Sequence, residues 1–274
     1  MSSVRQIRVG CEFRYEAAAE TPAVFLVQSS AAGPQTVLQQ TYETTPTVQR
    51  HGYADLYGNN CQRLTLPVGA STVRYDAFVE VPDETEEVDL DVPETPVSEL
   101  PDDALHYTLA SRYVLPDILG HEAWERFGAQ APGYRRVQAI VDYVNGHLEF
   151  THGSSTPLTT AVDVHESRQG VCRDYVHLAI TFCRALNIPA RYVFGYLPDM
   201  DVVLPPGEMD FAAWMEVYLD DRWWTFDPRN NRPRKGRVVV GRGRDALDVA
   251  MVTTYGAPQL VAMKVWADEV QESE

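Results

Sequence analysis

The sequence predicts an α+β protein in which a small N-terminal β-sandwich precedes a larger domain, built from a central helix and an antiparallel sheet. Short segments that alternate between apolar and polar residues fill the first part of the chain, and a nearly continuous apolar helix lies further on, at 172–186. Strand-type segments follow that helix. The pattern divides the chain into a sandwich domain at 1–82, an acidic, proline-rich linker at 83–103 and a core domain at 104–274.

Alternation identifies the N-terminal strands. In the segment 5–16, Ile7, Val9 and Cys11 face one side, whereas Arg8 and Glu12 face the other, as in a half-buried strand. Further strand-type segments occupy 23–28, 36–44, 62–66 and 71–81. Several short strands with turns between them are typical of a β-sandwich.

The linker stands out by its charge. From Asp76 to Asp103 there are twelve acidic residues and no basic one, and four prolines interrupt the segment. We predict an extended, solvated connector. Two alternatives remain: the linker docks onto the basic run 229–244, or it binds calcium, although it lacks the alternating ligands and the turn glycine of a calcium loop.

The core domain begins with helices, predicted at 104–114, 118–127, 134–148 and 161–168, and a polar loop lies at 151–160. The helix 172–186 is apolar nearly all round, which indicates that it is buried. Strands follow at 190–197, 212–219 and 222–226, and the segments 238–240 and 260–266 are predicted to extend the same sheet.

The strands 212–219 and 222–226 are separated only by Asp220 and Asp221, which predicts a hairpin with a two-residue turn. In that register Asp227 lies opposite Trp214, and residue 212 lies on the same face, one diagonal step away.

Composition excludes several classes of function. The chain has 274 residues, 45% of them hydrophobic, and a net charge of −16, which argues against binding of nucleic acid or of an anionic membrane. No signal peptide and no membrane span are recognisable. The four cysteines show neither pairing nor metal spacing, so we expect a cytoplasmic protein without metal or other cofactor. The oligomeric state cannot be read from the sequence.

Cys172 is the strongest candidate for a reactive group. Gly170 precedes it by two residues, and the cysteine opens the buried helix. A thiol at a helix N-terminus meets unpaired backbone N–H groups and the positive end of the helix dipole. We therefore predict that its pKa is lowered and that Cys172 is a nucleophile.

Two blocks carry a family resemblance: GVCRDYVHLAITFCRALNIPARYVFGYL, which starts at Gly170, and MDFAAWMEVYLDDRWWTFDPRN, which starts at Met209. They resemble the core of the bacterial transglutaminase-like superfamily, a group of cysteine protease-like proteins. The resemblance implies a transglutaminase/papain-like core, in which a cysteine attacks an amide or other acyl carbon, a histidine transfers the proton and an aspartate orients the histidine. Peptides, proteins or small acyl and amide compounds are the implied substrates.

Carried over by position, the resemblance makes Cys172 the nucleophile and Asp227 the orienting acid, whereas Ala212 stands where the family usually has histidine. His152 and His165 are the candidate substitutes for that histidine. His177 lies about 140° round the helix from Cys172 and is expected to be a hydrogen-bonded core residue.

Trp214 shares the face of Asp227 in the predicted hairpin, and is a candidate wall of the substrate site. Core packing is the alternative role for this tryptophan.

Two functions follow from these residues. The first is a cysteine-dependent acyl-transfer enzyme of amidase, peptidase or transamidase type, in which the role of the histidine is lost or relocated. The second is a catalytically impaired or inactive transglutaminase fold that serves as a binding or scaffolding module.

Overall fold

The structure is a computed structural model that describes residues 3–202 and 208–270. Its strands are β1 Val4–Ala17, β2 Thr21–Phe25, β3 Thr36–Thr45, β4 His51–Ala54, β5 Asn60–Leu66, β6 Gly69–Pro82, β7 Glu149–Phe150, β8 Gln169–Gly170, β9 Ala190–Tyr196, β10 Ala212–Leu219, β11 Arg222–Phe226, β12 Val238–Gly243, β13 Val252–Thr254 and β14 Gln259–Glu269. Its helices are α1 Asp102–Leu105, α2 Pro116–Phe127, α3 Tyr134–His147, α4 Ala161–Ser167 and α5 Cys172–Ala185. Short 3₁₀ turns occupy Val97–Glu99 and His106–Thr108.

The N-terminal strands form two four-stranded sheets, in the orders β14-β1-β6-β3 and β13-β2-β5-β4. Every odd residue of β1 from Ile7 to Tyr15 is buried, as the alternation predicted. The rings of Phe13 and Tyr15 on β1 lie 5.7 and 6.3 Å from the ring of Phe25 on β2, so the two sheets pack against each other at these side chains.

The last strands of the chain belong to these N-terminal sheets. We predicted that 260–266 would extend the core sheet, but β14 pairs along β1, with Cys11 opposite Val265, and β13 pairs with β2. Only β12 joins the core sheet, where it pairs with β9. The prediction for 260–266 was therefore wrong, and the range 104–274 includes strands that complete the N-terminal sheets.

The core sheet is antiparallel, in the order β11-β10-β9-β12, and α5 packs on one face of it. The ring of His177 on α5 lies 5.2 Å from that of Tyr192, whose strand partner is Met215. Met215 therefore faces α5, as Tyr192 does. Because side chains alternate along a strand, Ala212 and Trp214 both lie on the other face of β10, away from α5. They pack there against Val193 and Val239.

The hairpin has the predicted register. Met215 pairs with Phe226 and Leu219 with Arg222. Asp220 and Asp221 have φ angles of 47° and 60°, which are the left-handed values that a two-residue type I′ turn needs. Asp227 follows β11 directly, so it lies at the same end of the sheet as Ala212, the first residue of β10.

The first part of the acidic linker is not a solvated connector, and the prediction was wrong for residues 83–87. Asp83 accepts a 2.8 Å bond from Lys235, Glu86 pairs with the buried Arg237, and Glu87 accepts a 2.8 Å bond from Arg222. Asp83 and Glu86 therefore dock onto the basic run 229–244, as the alternative interpretation proposed, and Glu87 adds a pair with Arg222 on β11. We name the segment 83–87 the acidic strap.

Two smaller results concern helices. The helix predicted at 104–114 is absent as such, because α1 ends at Leu105 and a 3₁₀ turn follows it. Within 3–202 and 208–270, no helix is long and apolar enough to cross a membrane.

Candidate active site

The start of α5 is fixed by Asp174. Its carboxylate is buried and accepts a 2.8 Å hydrogen bond from the backbone N–H of Val171, so it caps the helix from within its first turn, two residues after Cys172. A Cβ atom at Gly170 would lie only 2.8 Å from the Cβ atom of Asp174, which explains why a glycine stands there.

The polar loop 151–160 lies beside this helix start. Arg173 donates to the hydroxyl oxygen of Ser155 at 3.0 Å and to the carbonyl oxygen of Thr156 at 3.1 Å. The backbone N–H of Thr151 donates to the carbonyl of Gly170 at 3.1 Å. The loop is thus tied to the residues on both sides of Cys172.

Cys172 is half-buried, and its surroundings differ from the prediction. Burial raises the pKa of its thiol to about 11, opposed by the guanidinium of Arg229 and by a hydrogen bond from the backbone of Arg173. The carboxylates of Asp210 and Asp227 raise the pKa further. The predicted lowering is therefore wrong for this structure, because desolvation outweighs the helix N-terminus.

Asp227 is buried and its carboxylate is fully used. One oxygen accepts from Nη2 of Arg237 at 2.9 Å and from Nδ2 of Asn230 at 2.8 Å. The other accepts from the backbone N–H groups of Arg229 at 3.1 Å and Asn230 at 2.9 Å. Burial by itself would raise the pKa of Asp227, but the charge of Arg237 and the bonds from Asn230 outweigh it, and the pKa lies below its usual value.

Position 212 is occupied by a small apolar side chain in contact with apolar neighbours. Trp214 is 1% exposed, and the guanidinium of Arg237 lies 4.9 Å from its ring. Together with Glu86 and Trp223, Trp214 lines a cavity of about 300 Å³ under the acidic strap. Arg237 therefore connects Trp214 to Asp227, since it packs on the ring of Trp214 and binds the carboxylate of Asp227. Trp214 itself lies on the face of the sheet opposite α5.

The two candidate histidines lie in different places. His165 bonds to Glu122 at 2.9 Å and contacts Phe182, ten residues along α5 from Cys172, which is about 15 Å of helix. That position is remote from the thiol. His152 lies in the exposed loop, with its ring 4.9 Å from Phe150, whose strand partner is Gly170. Of the two, only His152 lies near the start of α5.

His177 is a core residue, as predicted. It is fully buried, and its Nε2 accepts a 3.1 Å bond from the backbone N–H of Ala246. Burial lowers its pKa well below the usual value, so the ring is neutral at physiological pH.

The sequence did not predict individual roles for two arginines of this region. Arg237 joins Asp227 to the acidic strap, and Arg229 extends over the ring of Phe150 with its guanidinium carbon 4.1 Å from the ring centre. The basic run 229–244 was the only signal for either residue. Among the described parts of the chain, no group of three His, Cys, Asp or Glu side chains is arranged to hold a metal ion.

Comparison with known proteins identifies the family of the core residues and the fold of the chain. Residues 123–228, which include Cys172, Ala212 and Asp227, match the family model of the transglutaminase-like superfamily. A transglutaminase-like domain forms the core of this protein. The structure also resembles that of a candidate cysteine protease from Cytophaga hutchinsonii, with a TM-score of 0.90 and 29% identity over 100% of this chain and 93% of the other. The transglutaminase/papain-like α+β fold predicted from the sequence is thus confirmed.

Two mycobacterial relatives are similar to this protein over different lengths. An uncharacterized protein of Mycobacterium leprae is 27% identical over 226 residues, which is 79% of each chain. An uncharacterized protein of Mycobacterium tuberculosis is 35% identical over 138 residues, or 43% of each chain.

Proposed function

We propose that this protein is a transglutaminase-like acyl-transfer enzyme in which Cys172 is the nucleophile, and that it acts on activated acyl groups of peptides, proteins or small molecules. The observation that carries the proposal is the position of Cys172. It is half-buried at the N-terminus of α5, and the side chains of Arg229, Asp210 and Asp227 all act on its thiol. Charged groups gathered around a partly accessible thiol are typical of a reactive site rather than of a core cysteine.

With an activated acyl donor, the leaving group departs without being protonated, so the chemistry does not depend on the missing histidine. The Cys172 thiol first loses its proton to solvent, and the thiolate attacks the acyl carbon. A carbon–sulfur bond forms, and the alkoxide or thiolate leaving group departs with the electron pair. Water or an amine then attacks the thioester, loses a proton to solvent and releases the sulfur as thiolate. Backbone N–H groups in the first turn of α5 are suitable donors for the oxyanion that forms in both steps.

The absence of a histidine at position 212 restricts the substrates. An amide nitrogen must be protonated as it leaves, and Ala212 cannot deliver a proton. Such general acid catalysis typically contributes about 10²- to 10⁴-fold. Thioesters and activated esters have better leaving groups, so their acyl transfer suffers less from the loss.

The experiment is to treat the protein with p-nitrophenyl acetate at about pH 9, where more of the thiol is ionised, and to locate the acetyl group by peptide mapping. We expect a single acetyl group on Cys172 and none in the Cys172→Ala variant. Lys264 is exposed and serves as an internal control for non-specific acylation. If Cys172 remains unmodified while the fold is intact, the enzyme proposal fails.

The second candidate, a binding or scaffolding module, is favoured by two features. The pKa of Cys172 is raised to about 11, and the carboxylate of Asp227 is bonded to Arg237 instead of a histidine. The same experiment separates the two candidates, because a binding module would give no thioester with any activated ester.

A further inference from the structure

We infer that Arg229 forms an anion-binding subsite beside Cys172, and that this subsite recognises a carboxylate on the acyl donor. The part that concerns the donor rests on the proposed function. The subsite itself rests on where the chain holds Arg229 and on the lack of an internal partner for its guanidinium.

The backbone of Arg229 is held from two sides. Its N–H donates to the buried carboxylate of Asp227 at 3.1 Å, and its carbonyl accepts a 2.8 Å bond from Nδ2 of Asn145 on α3. Asn145 also binds the carbonyl of Pro228 at 3.0 Å. The loop that carries Arg229 is therefore anchored between the end of β11 and α3, so that the side chain starts from a fixed point.

The side chain reaches the start of α5. Its guanidinium carbon lies 4.1 Å from the ring centre of Phe150, a residue that pairs with Gly170, two positions before Cys172. The same guanidinium lowers the pKa of both Cys172 and Tyr175, which lies one turn further along the helix. These three neighbours place the positive charge beside the first turn of α5.

Neighbouring arginines pair with carboxylates of the protein, whereas the guanidinium of Arg229 packs only over the ring of Phe150 in the described ranges. Arg173 binds Asp174 and the loop 151–160, and Arg237 binds Glu86 and Asp227. Arg229 is exposed, and in the ranges 3–202 and 208–270 no carboxylate pairs with its guanidinium. In a chain with a net charge of −16, a cation beside the nucleophile is thus left free to bind an external anion.

A guanidinium suits this role. Its planar, paired N–H groups match the two oxygens of a carboxylate, and contact with an aromatic face limits the side-chain freedom that binding would otherwise remove. Asp210 raises the pKa of the same thiol that Arg229 lowers. The two side chains therefore shift the pKa of Cys172 in opposite directions, so substitutions of the two should have opposite effects.

The deciding experiment compares two alkylating reagents of similar size, iodoacetate and iodoacetamide, because only the first carries a negative charge. Their rate constants at Cys172 are measured by peptide mapping, and the ratio of the two cancels any change in the pKa of the thiol. We expect Arg229→Gln to lower the ratio of iodoacetate to iodoacetamide about three- to tenfold at low ionic strength, and salt to weaken the effect. Asp210→Asn should raise the ratio.

Arg232→Gln is the matched control, since Arg232 is an exposed arginine three residues further along the same loop, whereas Arg229 is the arginine side chain whose charge lowers the pKa of the thiol. Its ratio should equal that of the unmodified protein. If Arg229→Gln behaves like Arg232→Gln, the subsite is refuted, whether or not the protein transfers acyl groups.

A second pair of probes tests the donor. Mono-p-nitrophenyl glutarate and its methyl ester differ only in the free carboxylate, and we expect the acid to acylate Cys172 faster in a manner that Arg229→Gln abolishes. If both esters acylate Cys172 equally, recognition of the donor carboxylate is refuted. If neither does, the proposed function fails, and the alkylation ratios alone decide whether the subsite exists.

Discussion

The guanidinium of Arg237 lies 2.9 Å from the carboxylate of Asp227, and this bond completes a set of four that uses both oxygens. In the catalytic arrangement that the family resemblance implies, an imidazole would be the partner of this carboxylate. Here the partner is an arginine, which also binds Glu86 of the acidic strap. Asp227 is thereby connected to the linker as well as to the loop that carries Arg229.

This relationship predicts the result of restoring the histidine. We expect Ala212→His by itself to raise amide hydrolysis by less than about tenfold, against the ~10²- to 10⁴-fold that general acid–base catalysis typically contributes. The reason is that Asp227 has no free position left to orient an imidazole. Hydrolysis of a peptide amide is the measurement, with circular dichroism to check the fold. A gain of several hundredfold would mean that Asp227 exchanges Arg237 for the new histidine.

The raised pKa of Cys172 predicts how its reactivity depends on pH. The rate of alkylation by iodoacetamide should rise steadily from neutral pH with a midpoint near pH 11, because burial disfavours the thiolate. Arg229→Gln should move the midpoint higher, since the positive charge of Arg229 lowers this pKa, and Asp210→Asn should move it lower. The measurement is the rate at Cys172 against pH, read by mass spectrometry. A midpoint below that of free cysteine would contradict the prediction.

The acidic strap predicts a difference between two of its residues. Glu86→Gln should lower the free energy of unfolding by about 1–3 kcal/mol, because it leaves the buried guanidinium of Arg237 with one charged partner fewer. Asp83→Asn should have a smaller effect that disappears at high salt, because Asp83 pairs with partly exposed Lys235 and Arg5. Urea denaturation at low and high salt measures both. Equal effects for the two variants would show that the strap is held only by its exposed charges.

The cap of α5 predicts the outcome of a pair of glycine substitutions. Gly170→Ala should destabilise the protein by about 1–3 kcal/mol, because the new Cβ atom meets the Cβ atom of Asp174 at 2.8 Å. Gly146→Ala in α3 meets nothing within 4 Å and should stabilise it by about 0.5–1 kcal/mol. Thermal denaturation of both variants checks the prediction. Destabilisation by both would point to a general intolerance of alanine instead of a close contact at the helix start.

The parts of the fold that could be predicted are those with local causes. The hairpin register follows from Asp220 and Asp221, which tolerate the left-handed backbone that a two-residue turn requires. The buried helix α5 follows from its apolar residues, and the core position of His177 from its angle on the helix. In each case a few neighbouring residues determine the outcome.

The parts that could not be predicted depend on residues far apart in the sequence. Nothing within 260–266 indicates that β14 pairs with β1 and not with the core sheet, because alternation fixes which side of a strand is buried but not its neighbour. The pairing of Glu86 with Arg237 and the burial that raises the pKa of Cys172 are likewise products of tertiary packing. Charge counting suggested docking of the linker, yet it could not choose between docking and solvation.

The pairing of β14 with β1 has a consequence for dissection of the molecule. A fragment that starts near residue 104 would lack β1 and β2. It would therefore expose the edge of β14 that pairs with β1 in the whole protein, and it would leave β13 without a partner strand. A fragment that stops near residue 82 would lack two of the eight strands on which its packing depends. During synthesis on the ribosome, the N-terminal sheets can be completed only after β13 and β14 have been made, and the transglutaminase-like domain has the opportunity to fold before them.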